Sequence, residues 1–347
     1  MNIIKVKDRA QLREIIVKSA RNADLNHLDV SGVTDMHEVF RGTKFNGDIS
    51  KWDVSNVITM DGMFMDSKFN RDISKWNVSN VIDMNNMFSL SKFNGDLSEW
   101  NVSNVIDMSH MFWSTSFNGD ISSWDVSRVE DMHSMFRESK FTGDISGWNV
   151  SNVTNMQGMF LESNFNGDIS NWNVSKVTLM DEMFDHSKFN GDISKWNVSN
   201  VTNMNCMFSD SSFNGDISNW NVSNVEKISC MFSGTEFNGD ISNWNVSNVT
   251  NMMGMFSRTT QFNEDISNWD TSGVTDMSFM FFRSKFNGDI TKWNVSNVTD
   301  FNRMFSHSKF DRDITGWKFK AGAERASMLV GSPLEEKLQF EFSLTYK

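Results

Sequence analysis

The 24 residues Phe45–Lys68 read FNGDISKWDVSNVITMDGMFMDSK, and close copies of this stretch follow one another along the chain. Tryptophan marks the register. It stands at 52, 76, 100, 124, 148, 172, 196, 220 and 244, then at 269, 293 and 317, a spacing of 24 with a single step of 25; only Trp113 is out of phase. Twelve units therefore run from Phe45 to about Lys318, preceded by a half unit in which Leu28, Val30, Val33, Met36 and Phe40 keep the phase. A fixed period over most of 347 residues displaces the expectation of two or three separate domains that length alone would give.

Within the unit the apolar positions carry two patterns. Ile49, Trp52, Val54 and Val57 have offsets 0, 3, 5 and 8, which suit a short strand entered from a bend and left by an inward turn. Val57, Met60, Met63 and Phe64 form a single stripe, which predicts an amphipathic helix of about two turns. Ser55 and Asn56 precede that stripe where a side-chain oxygen can cap free N–H groups, and Ser127 with Glu130 and Ser223 with Glu226 complete capping-box patterns. Neither so short a helix nor one strand is stable alone, so each unit must bury its apolar face against the next. The fold class expected is α/β: a solenoid of twelve 24-residue strand–helix units with one parallel sheet and a cap at each end.

The ends depart from the repeat as an open stack requires. Residues 1–27 predict an N-terminal cap, with a strand at Ile3, Ile4 and Val6 and a helix capped by Asp8 that carries Leu12, Ile15 and Ile16. Residues 28–318 are the repeat body and 319–347 a C-terminal cap, in which 321–330 reads as helical ahead of Pro333, the sole proline. The opening MNIIKVKDRAQLREII shows no secretory pattern and no apolar run reaches membrane-spanning length, so the expected location is cytoplasmic. Cys206 and Cys230 are too few for a disulfide framework; 24 residues apart, they hold equivalent positions on neighbouring turns and are expected as reduced thiols.

The offsets 0, 3, 5 and 8 resemble the leucine-rich-repeat signature, and the wording FNGDISKWDVSNV…M..MF closely resembles the BspA-type leucine-rich repeats of bacterial surface proteins and mycoplasma lipoproteins, over residues 28 to about 318. The resemblance implies a right-handed solenoid with a parallel sheet on its concave side, and roles in adhesion or protein binding. Surface members carry secretion signals; the short cap here is more similar to signal-less relatives encoded by bacteriophages, which would place the chain in a host cytoplasm.

A functional site breaks a repeat that structure obeys, so chemistry belongs where the copies disagree. Forty-four acidic against 32 basic residues give a formal net charge of −12, and the Asp48 position, aspartate in all twelve units, matches that excess. One carboxylate per turn supplies too few oxygens for calcium, which takes six to eight, so Asn46-Gly47-Asp48 reads as a bend with Asp48 closing an Asx turn. Gly47 suggests a positive φ, although Arg71, Glu264 and Arg312 hold the same place. The six histidines are scattered, with no catalytic set and no metal spacing, so no enzyme activity, cofactor or metal is expected. The position after each Phe64 equivalent takes Ser in several units but Met65, Trp113, Arg137 and Leu161 in others, with Leu90 one residue out of register. These five residues are the candidate partner-binding patch of a monomeric, non-catalytic protein-binding scaffold that would block a host protein. An acidic nucleic-acid mimic aimed at DNA-binding proteins, or a surface adhesin, is the alternative; direct binding to nucleic acid or membrane is not expected.

Overall fold

A computed structural model describes residues 3–337 of the chain. They fall into two compact units, Met1–Lys176 and Val177–Lys347, each a stack of 24-residue coils.

The first unit begins as its sequence predicts. Strand β1 (Ile4–Lys5) leads into helix α1 (Arg9–Lys18), whose N-cap Asp8 accepts the Gln11 N–H, and β1 pairs in parallel with β2 (Leu28–Asp29). Leu12 and Ile16 are buried under this cap. Beyond β2 the coils depart from the expectation of strand and helix. The parallel pairing is a row of single bridges at Asp35, Thr59, Asp83, Asp107, Asp131 and Asn155, two residues past the Val57 position rather than along Ile49–Val54. In the second unit the corresponding row runs Leu179, Asn203, Lys227, Asn251, Asp276, Asp300 and Glu324.

The predicted helix is replaced by a ladder of β-turns. In the coil of Met60, the N–H groups of Met63, Met65 and Ser67 donate to Met60, Gly62 and Phe64, closing three overlapping turns. The N–H groups between them, of Met60, Gly62, Phe64 and Asp66, donate sideways to Asp83, Asn85, Met87 and Ser89 of the next coil. Two residues per coil adopt left-handed φ, here Gly62 at 57° and Asp66 at 51°, and the pair recurs as Asn86 and Leu90, Cys206 and Asp210, and Phe279 and Arg283. Left-handed residues at these places forbid a continuous right-handed helix. Segments this short gain little from helical hydrogen bonds, whereas lateral bonds satisfy the same groups while stacking the coils. The apolar stripe survives: Met60, Met63 and Phe64 all point inward and are fully buried.

The Ser and Asn ahead of the stripe consequently cap no helix, and the two capping-box patterns are coincidental. Ser55 donates its N–H to Asp53, while the Asn56 amide reaches back to the Ser31 carbonyl of the preceding coil, a bond repeated by Asn80, Asn104, Asn152, Asn224, Asn248 and Asn297. Indole N–H groups of the in-phase tryptophans find a carbonyl one coil back, as from Trp76 to Ile49 (3.2 Å) and from Trp220 to Ile193 (3.1 Å). Phenylalanines of two columns stack through the core, with Phe88 to Phe93 at 4.3 Å in the first unit and Phe208 to Phe213 at 4.0 Å in the second.

Two further expectations are corrected. Gly47 does not have positive φ; a Cβ there would lie 1.9 Å from the Ala23 carbonyl oxygen and 2.7 Å from the Phe45 ring, so glycine is required by close approach. At the far end, 321–330 is not helical. It adds another bridge, Asp300 to Glu324, and another set of turns with Ser327 and Gly331 left-handed. Helical residues begin at Pro333, with the Ser332 hydroxyl accepting the Glu335 N–H, because a proline fits the first helical position, where no N–H is needed. Residues 338–347 of the expected C-terminal cap lie outside the described residues.

Candidate partner interface

The turn ladder decides which side chains face outward. In the Met60 coil, Asp61 and Met65 are half-buried and Asp66 exposed, between the buried Met63, Phe64 and Ser67. These outward columns, together with the left-handed position at Gly62, are also where the copies differ most in chemistry.

In the first unit this surface gathers a polar–aromatic cluster around Trp113. The Arg137 guanidinium sits 5.8 Å from the Trp113 ring centroid, and the indole N–H donates to Glu138 at 3.4 Å, which also pairs with Arg137 at 3.3 Å. The His110 ring is 5.6 Å from Trp113 and 4.4 Å, edge-on, from His133. Burial, reinforced by His133, lowers the His110 pKa, so this ring is neutral at physiological pH. Reading the histidines as scattered therefore missed a pair: His110 and His133 occupy adjacent outward columns of consecutive coils, and a register offset by one residue conceals the contact.

The five residues singled out from sequence do not form one patch. Trp113 and Arg137 are in contact, and Leu90 is 40% exposed on the preceding coil, its N–H bonded to the Trp113 carbonyl. Met65 is half-buried one coil further back. Leu161, expected in the patch, is 4% exposed: it is part of the core and presents no surface to a partner.

The aspartates of the bend are Asx-turn acceptors as expected: Asp48 takes the Ser50 N–H at 2.9 Å, and the same bond recurs from Asp72 and Asp120 through Asp192 and Asp289. They face solvent, and the bonds from the residue two places on, backbone N–H first and hydroxyl second, hold their carboxyls below the ordinary range. A polar groove of about 560 Å³ runs beside this bend, between Asp48, Arg71 and Asp72. Cys206 and Cys230 are half-buried free thiols on neighbouring coils; their mutual hydrogen bond raises the Cys206 pKa and lowers that of Cys230. Among the described residues no group of three or more His, Cys, Asp or Glu side chains is placed to hold a metal ion, and no helix is long and apolar enough to cross a membrane.

The second unit holds a cluster that the sequence did not single out. Phe282, Arg283, Arg303 and His307 line a cavity of about 160 Å³ on the same outward columns, and Phe279 packs behind them against Phe282. Phe282 stands in the same column as Met65, Trp113 and Arg137, which takes serine in several coils.

A protein-family model described as "Mycoplasma protein of unknown function, DUF285" matches residues 10–116, 89–187, 161–260 and 233–339. The chain belongs to this mycoplasma, BspA-like repeat family. The last three matches begin 72 residues apart, at 89, 161 and 233, which is three coils each. No curated protein and no solved structure matches the chain.

Proposed function

We propose that this family member is a non-catalytic recognition scaffold that binds a protein partner through the outward columns of its turn ladder. One observation carries the reading. Trp113 occupies an outward position that is serine in several other coils, remains partly exposed, and is held by Arg137 and Glu138 instead of being packed into the core. Tryptophan and arginine dominate the energetics of protein interfaces, and a pre-ordered pair loses little entropy on binding.

The test compares the wild-type chain with Trp113→Ala and Arg137→Ala as baits in affinity capture from a bacterial lysate, alongside their thermal melts. Retention of a defined protein that falls at least tenfold in both variants, with melting unchanged, is the expected result. Equal retention by all three baits, or loss of folding in Trp113→Ala with Arg137→Ala binding normally, would remove the reading.

The solvent-facing aspartates favour a second reading, an acidic mimic of nucleic acid. Bonds within the bend keep these groups ionised, but one carboxylate per coil at a spacing of ~4.8 Å supplies about a third of the charge density of duplex DNA, which carries one per ~1.7 Å. The lysines at 51, 75, 195 and 292 lie three residues after a bend aspartate and dilute it further. The recognition scaffold is therefore preferred.

A further inference from the structure

This acidic chain gathers two arginines at one place in its second unit, and among the described residues no carboxylate pairs with either. Arg283 lies over the Phe282 ring at 5.1 Å and Arg303 over the Phe279 ring at 5.8 Å. The two phenyl rings meet edge to face at 5.6 Å, and the His307 ring stands edge-on to Phe282 at 6.4 Å. Both guanidiniums are exposed, and among the described residues neither has a carboxylate within 4.0 Å, in contrast to nearby Arg258, which pairs with Asp210 at 3.0 Å. The acids of the neighbouring column are engaged in their own turns: Asp276 accepts the Ser278 N–H and Asp300 the Asn302 N–H.

The backbone fixes this arrangement. Phe279, Arg283, Arg303 and His307 all sit at left-handed positions of the turn ladder, with φ between 55° and 56°. Such a conformation is costly for a phenylalanine, yet the lateral hydrogen bonds of Phe279 to Asn302 and of Arg303 to Ala326 impose it. Gly331 supports the His307 ring from behind: a Cβ there would lie 2.5 Å from His307 Nδ1, so the imidazole rests on bare backbone.

A guanidinium held over a ring by a cation–π contact keeps N–H groups free, and they match the two oxygens of a carboxylate. The cavity is about 160 Å³, lined also by Ser306, Ser327 and Val330, whereas pockets for small molecules and cofactors span ~300–1,000 Å³. It admits one group the size of a side chain. We propose that it is an anchoring pocket for a carboxylate side chain presented by an acidic segment of a protein partner, with the Phe282 ring covering the aliphatic stem. This deepens the recognition reading but depends on a different compact unit from Trp113, so the two can fail separately.

The test titrates a fluorescent hexaglutamate peptide, with hexaglutamine as the neutral control, against the full chain by anisotropy at low and physiological salt. Binding of hexaglutamate alone is expected, weakened roughly tenfold or more by Arg283→Gln or Arg303→Gln, partly retained in Arg303→Lys, and unaltered by Trp113→Ala. Melting curves of the variants should overlay, because both arginines are exposed. Equal binding of both peptides, no binding of either, indifference to the arginine changes, or displacement by inorganic phosphate at the peptide's own concentration would each overturn the proposal. If hexaglutamate binds as expected but capture from lysate ignores Trp113, the pocket stands and the Trp113 patch falls.

Discussion

A single tryptophan position shows how much one residue does in this protein. The Ile193 carbonyl accepts two hydrogen bonds, the Trp196 backbone N–H within its own coil and the Trp220 indole N–H from the next. The indole thus joins coils while filling the core, and it is 4% exposed. Trp220→Phe should lower stability by about 2 kcal/mol, from one lost hydrogen bond and a partly unfilled volume. Met231→Leu, which conserves volume at a fully buried site, should cost less than ~1.5 kcal/mol. Urea midpoints of the two variants check the order; a Trp220→Phe protein as stable as wild type would show that the indole bond adds nothing.

At the scale of the element, the turn ladder replaces the helix that apolar spacing predicts. Inward positions separated by three and four residues serve both structures, so side-chain pattern alone cannot tell them apart. The sign of φ can, but the left-handed places carry Glu38, His110, Cys206 and Phe279 as readily as Gly62, and no glycine pattern betrays them. The period, the buried columns, the capped α1 and the Asx bend were legible because each rests on local chemistry that the sequence spells out. Of the candidate surface, Trp113 was visible because it breaks the repeat. The His110–His133 contact and the Arg283–Arg303 cavity were not, since they run diagonally between columns that vary freely. The ladder makes its own prediction at Ser114, held at φ 52°. Ser114→Gly should stabilise by up to about 1 kcal/mol, and Ser114→Val should destabilise by more than that, because a branched Cβ resists the left-handed region. Thermal melts that rank Val above Ser would count against the assigned backbone.

Across the whole molecule the bend aspartates set the response to acid. Their folded pKa values are depressed below the unfolded ~3.9, so the stability they contribute is complete above that value and is lost as pH falls through the folded pKa values. Asp61 and Asp185, raised chiefly by burial, act in the opposite sense but are outnumbered. The urea midpoint should hold steady from pH 7 to about 4.5 and fall below pH 4, and Asp→Asn changes at several bends should blunt that fall; a midpoint unchanged at pH 3 would contradict this. The asparagines beside those aspartates carry a different consequence. Asn-Gly pairs such as Asn94-Gly95 and Asn214-Gly215 are the sites where a protein's amides are most readily lost with time. Here the amide oxygen is tied to the N–H of the next coil, as Asn94 is to Asn118 and Asn214 to Asn238. An aspartate formed by such ageing could keep that acceptor. Asp311, the one natural aspartate in the column, already sits in the ladder, held by Asn287 and by Lys337. Ageing that yields aspartate at these bends would then accumulate as added negative charge while the coils stay joined; isoaspartate, with its longer backbone, would not keep that register.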